Sequence, residues 1–382
     1  VLRRAAESQP GRSSHAMSHA WLITGPPGSG RSNAAKAFAA ALQCVDHGCG
    51  QCNACRTTLS GAHPDVTLVR TEALSIGVDE VRELVRRAAM NPVHGCHQVV
   101  VVEDADRITE RGADALLKAI EEPAPKTVWL LCAPTPEDVI VTIRSRCRRL
   151  HLATPRDEAV ADLLTRRDGI APEVAAEAAR AGQGHIGRAR RLAWDEEARA
   201  RRNAIGELPT RLRSLGDCLQ AAEDLVNQAS EEAAAATAEV NAAERAELKK
   251  ALGFGSSGAR PRNAQAALRD LEKQQSARLK RLQRDALDRV LTELTAYHRD
   301  VLAIQTGAVR PEEENALRGA RLVNAGWSAS LHRIADSQSP EHTVATIDAI
   351  LAARKSLEHG VTPLLVMETL LIAMTGVDRA RW

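Results

Sequence analysis

Residues Gly25-Pro26-Pro27-Gly28-Ser29-Gly30-Arg31-Ser32 constrain the fold of this chain more than any other stretch. They match the phosphate-cradling pattern GxxxxGK[ST] at every fixed position except the lysine, which here is Arg31. The stretch follows the apolar run Trp21-Leu22-Ile23-Thr24 and opens a helical pattern from Asn33 to Gln43, the strand–loop–helix setting such a loop requires. Gly25, Gly28 and Gly30 allow backbone N–H groups to close around an anion at a helix N-terminus. Arg31 alters the chemistry. A lysine places a compact charge between the β- and γ-phosphates, whereas a guanidinium is wider, planar and asks for bidentate partners. The expected nucleotide-binding residues are Gly25, Pro26, Gly28, Gly30, Arg31 and Ser32, in a fold that hydrolyses nucleotide poorly or not at all.

Four of the eight cysteines stand at Cys44, Cys49, Cys52 and Cys55, a C-x4-C-x2-C-x2-C cluster directly after that helix. In a reducing compartment such a cluster favours tetrahedral Zn²⁺ over disulfides, and four sulfurs close a structural site. An iron–sulfur cluster or free thiols are the alternatives. His47, inside the cluster, reads as a solvated turn residue rather than a fifth ligand. The net charge of +2 argues against a chain that binds polyanions through bulk charge, so DNA contact would come from local patches. Five Trp, two Phe and one Tyr leave the cores aliphatic and alanine-rich. No apolar run is long enough for a bilayer, and the region near Val1 has no signal-type segment, so the chain reads as cytoplasmic, with no membrane partner. With Val1 first, a helix-like Leu2–Glu7 and a loose Ser8–Ser18, the natural chain is expected to begin further upstream.

The 382 residues suggest two or three domains. Strands are expected at Val66–Arg70, Val99–Val102, Val128–Ala133 and Arg148–Leu152, and helices at Val78–Ala89, Arg111–Glu121 and Glu137–Ile143. This alternation implies a doubly wound parallel α/β sheet. From Pro155 the strands cease. Arg156–Arg166, Pro172–Ala181 and Ile186–Ala193 read as three short helices of a small lid. Ala222–Leu252, rich in Ala, Glu and Lys, reads as a long helix with little apolar stripe, broken by a turn at Gly253–Gly258. Asn263–Thr306 resumes as a second long helix whose stripe runs Leu268, Leu271, Leu279, Leu282, Ala286, Val290, Leu294, Tyr297, Val301 and Ile304, interrupted at Gln275. The pair is expected to form a hairpin whose outer half projects into solvent. Glu312–Gly376 should carry apolar helices started by Ser339-Pro340 and Thr362-Pro363.

Taken in order, Gly25–Ser32, the four-cysteine knuckle, Glu103-Asp104-Ala105-Asp106 after a valine strand, Ala115–Pro123 and Ser145-Arg146-Cys147 resemble the bacterial clamp-loader AAA+ subunits. Leu116–Pro123 and the Ser-Arg-Cys triplet are the most characteristic. The likeness is strong over about residues 20–190 and only architectural beyond. Degraded ATPase motifs beside an intact Ser-Arg-Cys look like the delta-prime branch rather than the gamma/tau motor. The resemblance implies an AAA+ P-loop domain over 1–153 with the knuckle at 44–55, a helical lid over 154–204, and an all-α C-terminal collar over 205–382 with the hairpin at about 222–286. It also implies gamma/tau and delta subunits, a sliding clamp and primer–template DNA as partners within a DNA polymerase III holoenzyme at the nucleoid.

Against an active motor of that family, this chain carries four departures. The loop lysine is Arg31. The Asp-Glu pair that would hold Mg²⁺ and orient water is inverted to Glu103-Asp104, which shortens the reach of the base. The sensor threonine falls at Ala133 or Pro134. The second-sensor arginine falls at Gly187 within Gly184-His185-Ile186-Gly187-Arg188. ATP or ADP with Mg²⁺ is therefore a doubtful cofactor, although an ATPase in its own right, with Arg31 replacing lysine, is the alternative reading. Arg146, in contrast, is the expected arginine finger, acting on a neighbouring subunit's triphosphate. The bland alternative makes Arg144, Arg146, Arg148 and Arg149 a solvated basic edge. Arg82, Arg86 and Arg87, or Lys280, Arg281 and Arg284, are candidates for DNA contact, with solvated charged helices as the commoner explanation.

Overall fold

A computed structural model describes residues 1–7, 17–71, 75–252, 264–309 and 322–375. The turn expected at Gly253–Gly258, most of the loose Ser8–Ser18 and the start of the Glu312–Gly376 stretch lie outside the described residues. The described chain divides into two units, Val1–Arg190 and Arg191–Trp382.

In the first unit, β-branched and apolar runs form five strands: β1 (Ala20–Thr24), β2 (Val66–Val69), β3 (Gln98–Val102), β4 (Thr127–Ala133) and β5 (Arg148–His151). They make one parallel sheet in the order β2-β3-β4-β1-β5. Every residue of β1, β3 and β4 is buried, as a sheet covered on both faces requires. Alternation along the strands then divides the core in two. Leu22, Val100, Val102, Trp129 and Leu131 face α4 (Val78–Ala88), α5 (Glu110–Glu121) and α6 (Val141–Arg144), meeting Val81, Leu84, Leu116, Ile120 and Ile143. Trp21, Ile23, Val99, Val101 and Leu130 face the other way, toward Ala5 of α1 (Leu2–Ala6) and Phe38, Ala39 and Leu42 of α2 (Arg31–Gln43). Leu116 and Ile120 are 1% and 0% exposed, so truncating either to Ala would cost about 2–5 kcal/mol. This is the expected doubly wound parallel sheet.

The helix expected over Glu137–Ile143 is in fact two pieces. A 3-10 turn spans Pro136–Asp138, capped reciprocally by Thr135 and Asp138, and α6 starts only at Val141. Val139 and Ile140 between them are extended, which buries Val139 to 5% beside Ile143. Helix α3 (Asn53–Ser60) carries the last cysteine of the knuckle, and α7 (Asp157–Asp168), α8 (Pro172–Gly182) and α9 (Ile186–Trp194) follow the sheet.

Among its described residues the second unit is all helix: α10 (Glu196–Arg211), α11 (Leu215–Ala251), α12 (Ala264–Gln305), α13 (Ser328–Ser337), α14 (Pro340–Glu358) and α15 (Pro363–Thr375). Its core joins the inner half of the long hairpin, from Cys218, Ala222, Leu287, Leu291 and Leu294, to Ile350, Leu357, Met367, Leu370 and Leu371 of α14 and α15. A buried polar cluster lies beside it. Arg202 pairs with Glu293 at 3.2 Å, donates to Asn324 and stacks on Trp327 at 4.3 Å, while Asn324 is held by buried Asp300. Trp327 lies so close to Gly206 that a Cβ there would come 2.6 Å from its ring. Among the described residues no helix is long and apolar enough to cross a membrane.

Candidate functional site: a glycine loop, a cysteine knuckle and an edge arginine

The glycine loop leaves β1 and enters α2 as its sequence requires. Gly25, Gly28 and Gly30 have φ of 156°, 79° and 90°, and the Gly30 carbonyl accepts the first helical N–H from Ala34 at 2.8 Å. Side chains of this chain then engage the surroundings of the loop. Arg31 folds back, its Nη1 donating to the Gly25 carbonyl at 2.9 Å. Lys36, four residues beyond Ser32, places its ammonium 2.6 Å from the Glu103 carboxylate, both largely buried. His185 lies directly over Gly28, where a Cβ would come 2.2 Å from the imidazole Cγ. Burial, with Arg188 and Arg31 nearby, holds that imidazole below its ordinary pKa, so the ring is neutral at pH 7. Behind the loop on β4, burial pushes the Cys132 thiol up to about 12, within the fields of Arg31, Glu103, Asp104 and Lys36.

The structure thus gathers Gly25, Pro26, Gly28, Gly30, Arg31, Ser32, Glu103 and Asp104 at the C-terminal ends of β1 and β3, where doubly wound sheets bind ligands. Ala133 ends β4 and Pro134 follows it, with no hydroxyl at either place. For Mg²⁺ the fit is poor, because the first carboxylate of the expected pair is already neutralised by an ammonium. Lys36 and His185 are the residues that reading the motif alone passes over. Lys36 had a signal, its one-turn spacing from Ser32, but only the fold brings it to Glu103.

The knuckle is a compact sulfur cluster. The Sγ atoms of Cys44, Cys49, Cys52 and Cys55 all lie within 4.8 Å of one another. Cys44 is 3.7 Å from Cys49 and 3.6 Å from Cys52, Sγ to Sγ. Tetrahedral Zn²⁺ with Zn–S near 2.3 Å requires S···S of about 3.8 Å, so the four sulfurs fit that ion. Backbone N–H groups of Cys52 and Cys55 point at the sulfurs of Cys49 and Cys52, at 3.3 and 3.4 Å. Backbone donors, led by that of Cys49, hold the Cys44 thiol down to about 6, while burial pushes Cys55 up to about 12. A divalent cation equally near all four would favour the thiolate at each. His47 is exposed with φ of 52° and stands outside the cluster, a turn residue as expected.

Arg146 sits between α6 and the edge strand β5. Its neighbours Ile143 and Cys147 are buried in the same core as Leu116 and Ile120, which turns the guanidinium outward. Its Nη1 donates to the Thr142 carbonyl at 2.8 Å and the Ser145 hydroxyl at 3.3 Å, and its Nη2 meets Glu121 at 2.6 Å. The side chain remains 40% exposed. Arg148 of the same basic run lies over Trp21 at 4.9 Å, and Arg144 pairs with Glu137 at 3.2 Å. The candidate DNA contacts on α4 are engaged on their own helix: Arg82 with Asp79 at 3.3 Å, Arg87 with Glu83 at 3.0 Å, and Arg86 also with Glu83. On α12, Arg281 lies 3.8 Å from Asp285.

Residues 8–156 match the family model described as "DNA polymerase III, delta subunit". This stretch is delta-prime-like. The chain is 36% identical to the DNA polymerase III subunit delta' of Haemophilus influenzae over 156 residues, 40% of this chain and 48% of that protein. It is 33% identical to the delta' of Escherichia coli over 202 residues, 51% of this chain and 59% of that protein. A gamma/tau subunit of Mycobacterium tuberculosis is 35% identical over 147 residues, 37% of this chain and 25% of that protein. The chain therefore spans about half the length of the curated delta' relatives it matches.

Proposed function

We propose that this chain is the stator of a bacterial clamp loader, a subunit that does not turn over ATP at its own loop and lends Arg146 to the triphosphate of an adjacent motor. The observation that carries this reading is the contrast between two arginines. Arg31 is spent on the Gly25 carbonyl beside a neutralised Glu103, whereas Arg146 stands half-exposed at the sheet edge with N–H donors to spare. A guanidinium in that position can neutralise charge developing on a γ-phosphate without any nucleotide in this chain. The home pocket lacks a sensor hydroxyl, and His185 lies over the loop.

On this reading residues 1–153 are the P-loop domain, 154–204 the lid and 205–382 the collar. The partners are gamma/tau and delta subunits, the sliding clamp, and primer–template DNA through the assembled complex, in the cytoplasm at the nucleoid. Cys44, Cys49, Cys52 and Cys55 hold a structural Zn²⁺ that ties the end of α2 to α3. The test is a loader reconstituted with Arg146→Ala and assayed for ATP hydrolysis stimulated by clamp and primed DNA. The expected result is a loss of about 10³-fold or more with assembly intact. Full activity in that variant would overturn the trans-arginine role.

A further inference from the structure

Glu121 is the last residue of α5 and lies inside Leu116–Pro123, the second diagnostic motif, to which the stator reading gives no task. In space that motif meets the other one, since the Glu121 Oε1 lies 2.6 Å from Arg146 Nη2. Both side chains are about two fifths exposed, 39% and 40%, so the pair adds little stability. Its effect is on orientation. A guanidinium has five N–H donors. Among the described residues, Nη1 donates to Thr142 and Ser145, and Nη2 is held by its ion pair with Glu121. Neither Nε nor Nη2 donates a hydrogen bond among the described residues, so the hold fixes the group without exhausting its donors. The carboxylate itself is anchored. Leu116 and Ile120 are buried in the core, and His19 Nε2 hydrogen-bonds the Ile120 carbonyl at 2.8 Å, which fixes the end of α5.

We propose that Glu121 is a positioning residue for Arg146, its ion pair holding the guanidinium in an orientation from which the remaining donors reach a neighbouring subunit's terminal phosphate. This rests on the trans-arginine reading. Because a preorganised donor acts on charge that develops during reaction, losing its orientation should lower kcat and leave KM unchanged.

The experiment uses the assembled loader with Glu121→Ala, Glu121→Gln, Arg146→Ala and the double variant Glu121→Ala/Arg146→Ala. Stimulated hydrolysis by Glu121→Ala should fall about tenfold in kcat at constant KM, with melting and assembly like wild type. Glu121→Gln, which keeps an acceptor at the same reach, should recover part of that loss. The double variant should be no slower than Arg146→Ala alone, because both changes act through one group. If Arg146→Ala is slow while Glu121→Ala matches or exceeds wild type, the positioning role is wrong and the arginine finger stands. Additive losses in the double variant would likewise overturn it. If Arg146→Ala is itself fully active, the stator reading falls instead.

Discussion

Asp65, at the entry to β2, is 1% exposed, and its carboxylate accepts backbone N–H groups from Val93 at 2.6 Å, His94 at 2.7 Å and Gly95 at 2.6 Å. Burial alone would raise its pKa. The three donors, with His63 nearby, outweigh that and hold the carboxyl below its usual range. A lowered folded pKa means that the ionised form stabilises the fold above the unfolded value of about 3.9, and that this contribution fades as pH falls through the folded value. Asp65→Ala is therefore expected to cost about 2–4 kcal/mol at pH 7, because three buried donors lose their acceptor. Urea unfolding of the two proteins should show the gap narrowing below about pH 4. A gap independent of pH would mean that the charge on Asp65 contributes nothing. The same lesson applies to Glu103. An acidic residue in a motif has no fixed meaning until its partner is known, and Lys36 changes it from a metal ligand into half of an ion pair.

The long hairpin shows how an element can persist without an apolar seam. Its inner half is built on Cys218, Ala222, Ala229, Ala286, Val290 and Leu294. Farther out, α11 and α12 are joined by polar groups. Arg278 meets Glu244 at 2.8 Å and Asn241 at 2.7 Å, Gln275 donates to the Asn241 carbonyl at 3.0 Å, and Arg245 pairs with Glu272. Arg278→Ala would leave Glu244 and Asn241 without this partner, at a cost of about 1 kcal/mol for so partly exposed a site. Amide exchange should quicken over residues 238–250 and 268–282 and stay unchanged in α14 and α15; uniform protection would refute the polar seam. Much of this element was legible in advance. The expected boundary at Asn263–Thr306 differs from α12 by one residue at each end, and Gln275 marked the interruption of the stripe. Two things were not. Leu287 and Leu291 are fully buried on a second face, because α12 is packed by α14 as well as α11, and one stripe cannot reveal two neighbours. Helix α11 begins at Leu215 rather than Ala222, although Ser214 and Asp217 form a capping box that could have announced it. A capping pair of the same kind, Thr135 and Asp138, marks the break before α6. Contacts such as Glu121–Arg146 join positions remote in sequence, and no local pattern encodes them.

At the scale of the whole molecule, the knuckle is separable from both main cores. Cys44 and Cys55 cluster with Ala40 and Cys52 at the end of α2, apart from the layers that cover the sheet, and Val1–Arg190 and Arg191–Trp382 each have cores of their own. A cation held there would stabilise chiefly the turn between α2 and α3, since binding free energy acts on the segment that must order to form the site. The purified chain is expected to contain one zinc per molecule by elemental analysis. Removing it with a strong chelator should speed proteolysis and amide exchange over residues 44–60. The valine strand β3 and the buried stretches of α12 and α14 should keep their protection, because Val99–Val102, Leu291 and Ile350 depend on no sulfur ligand. Readdition of Zn²⁺ should restore the protected knuckle. A chain with no bound metal, or one whose 44–60 segment is indifferent to chelation, would refute a structural zinc. Global unfolding on chelation would instead show that the knuckle supports the sheet, contrary to the division of the core seen here.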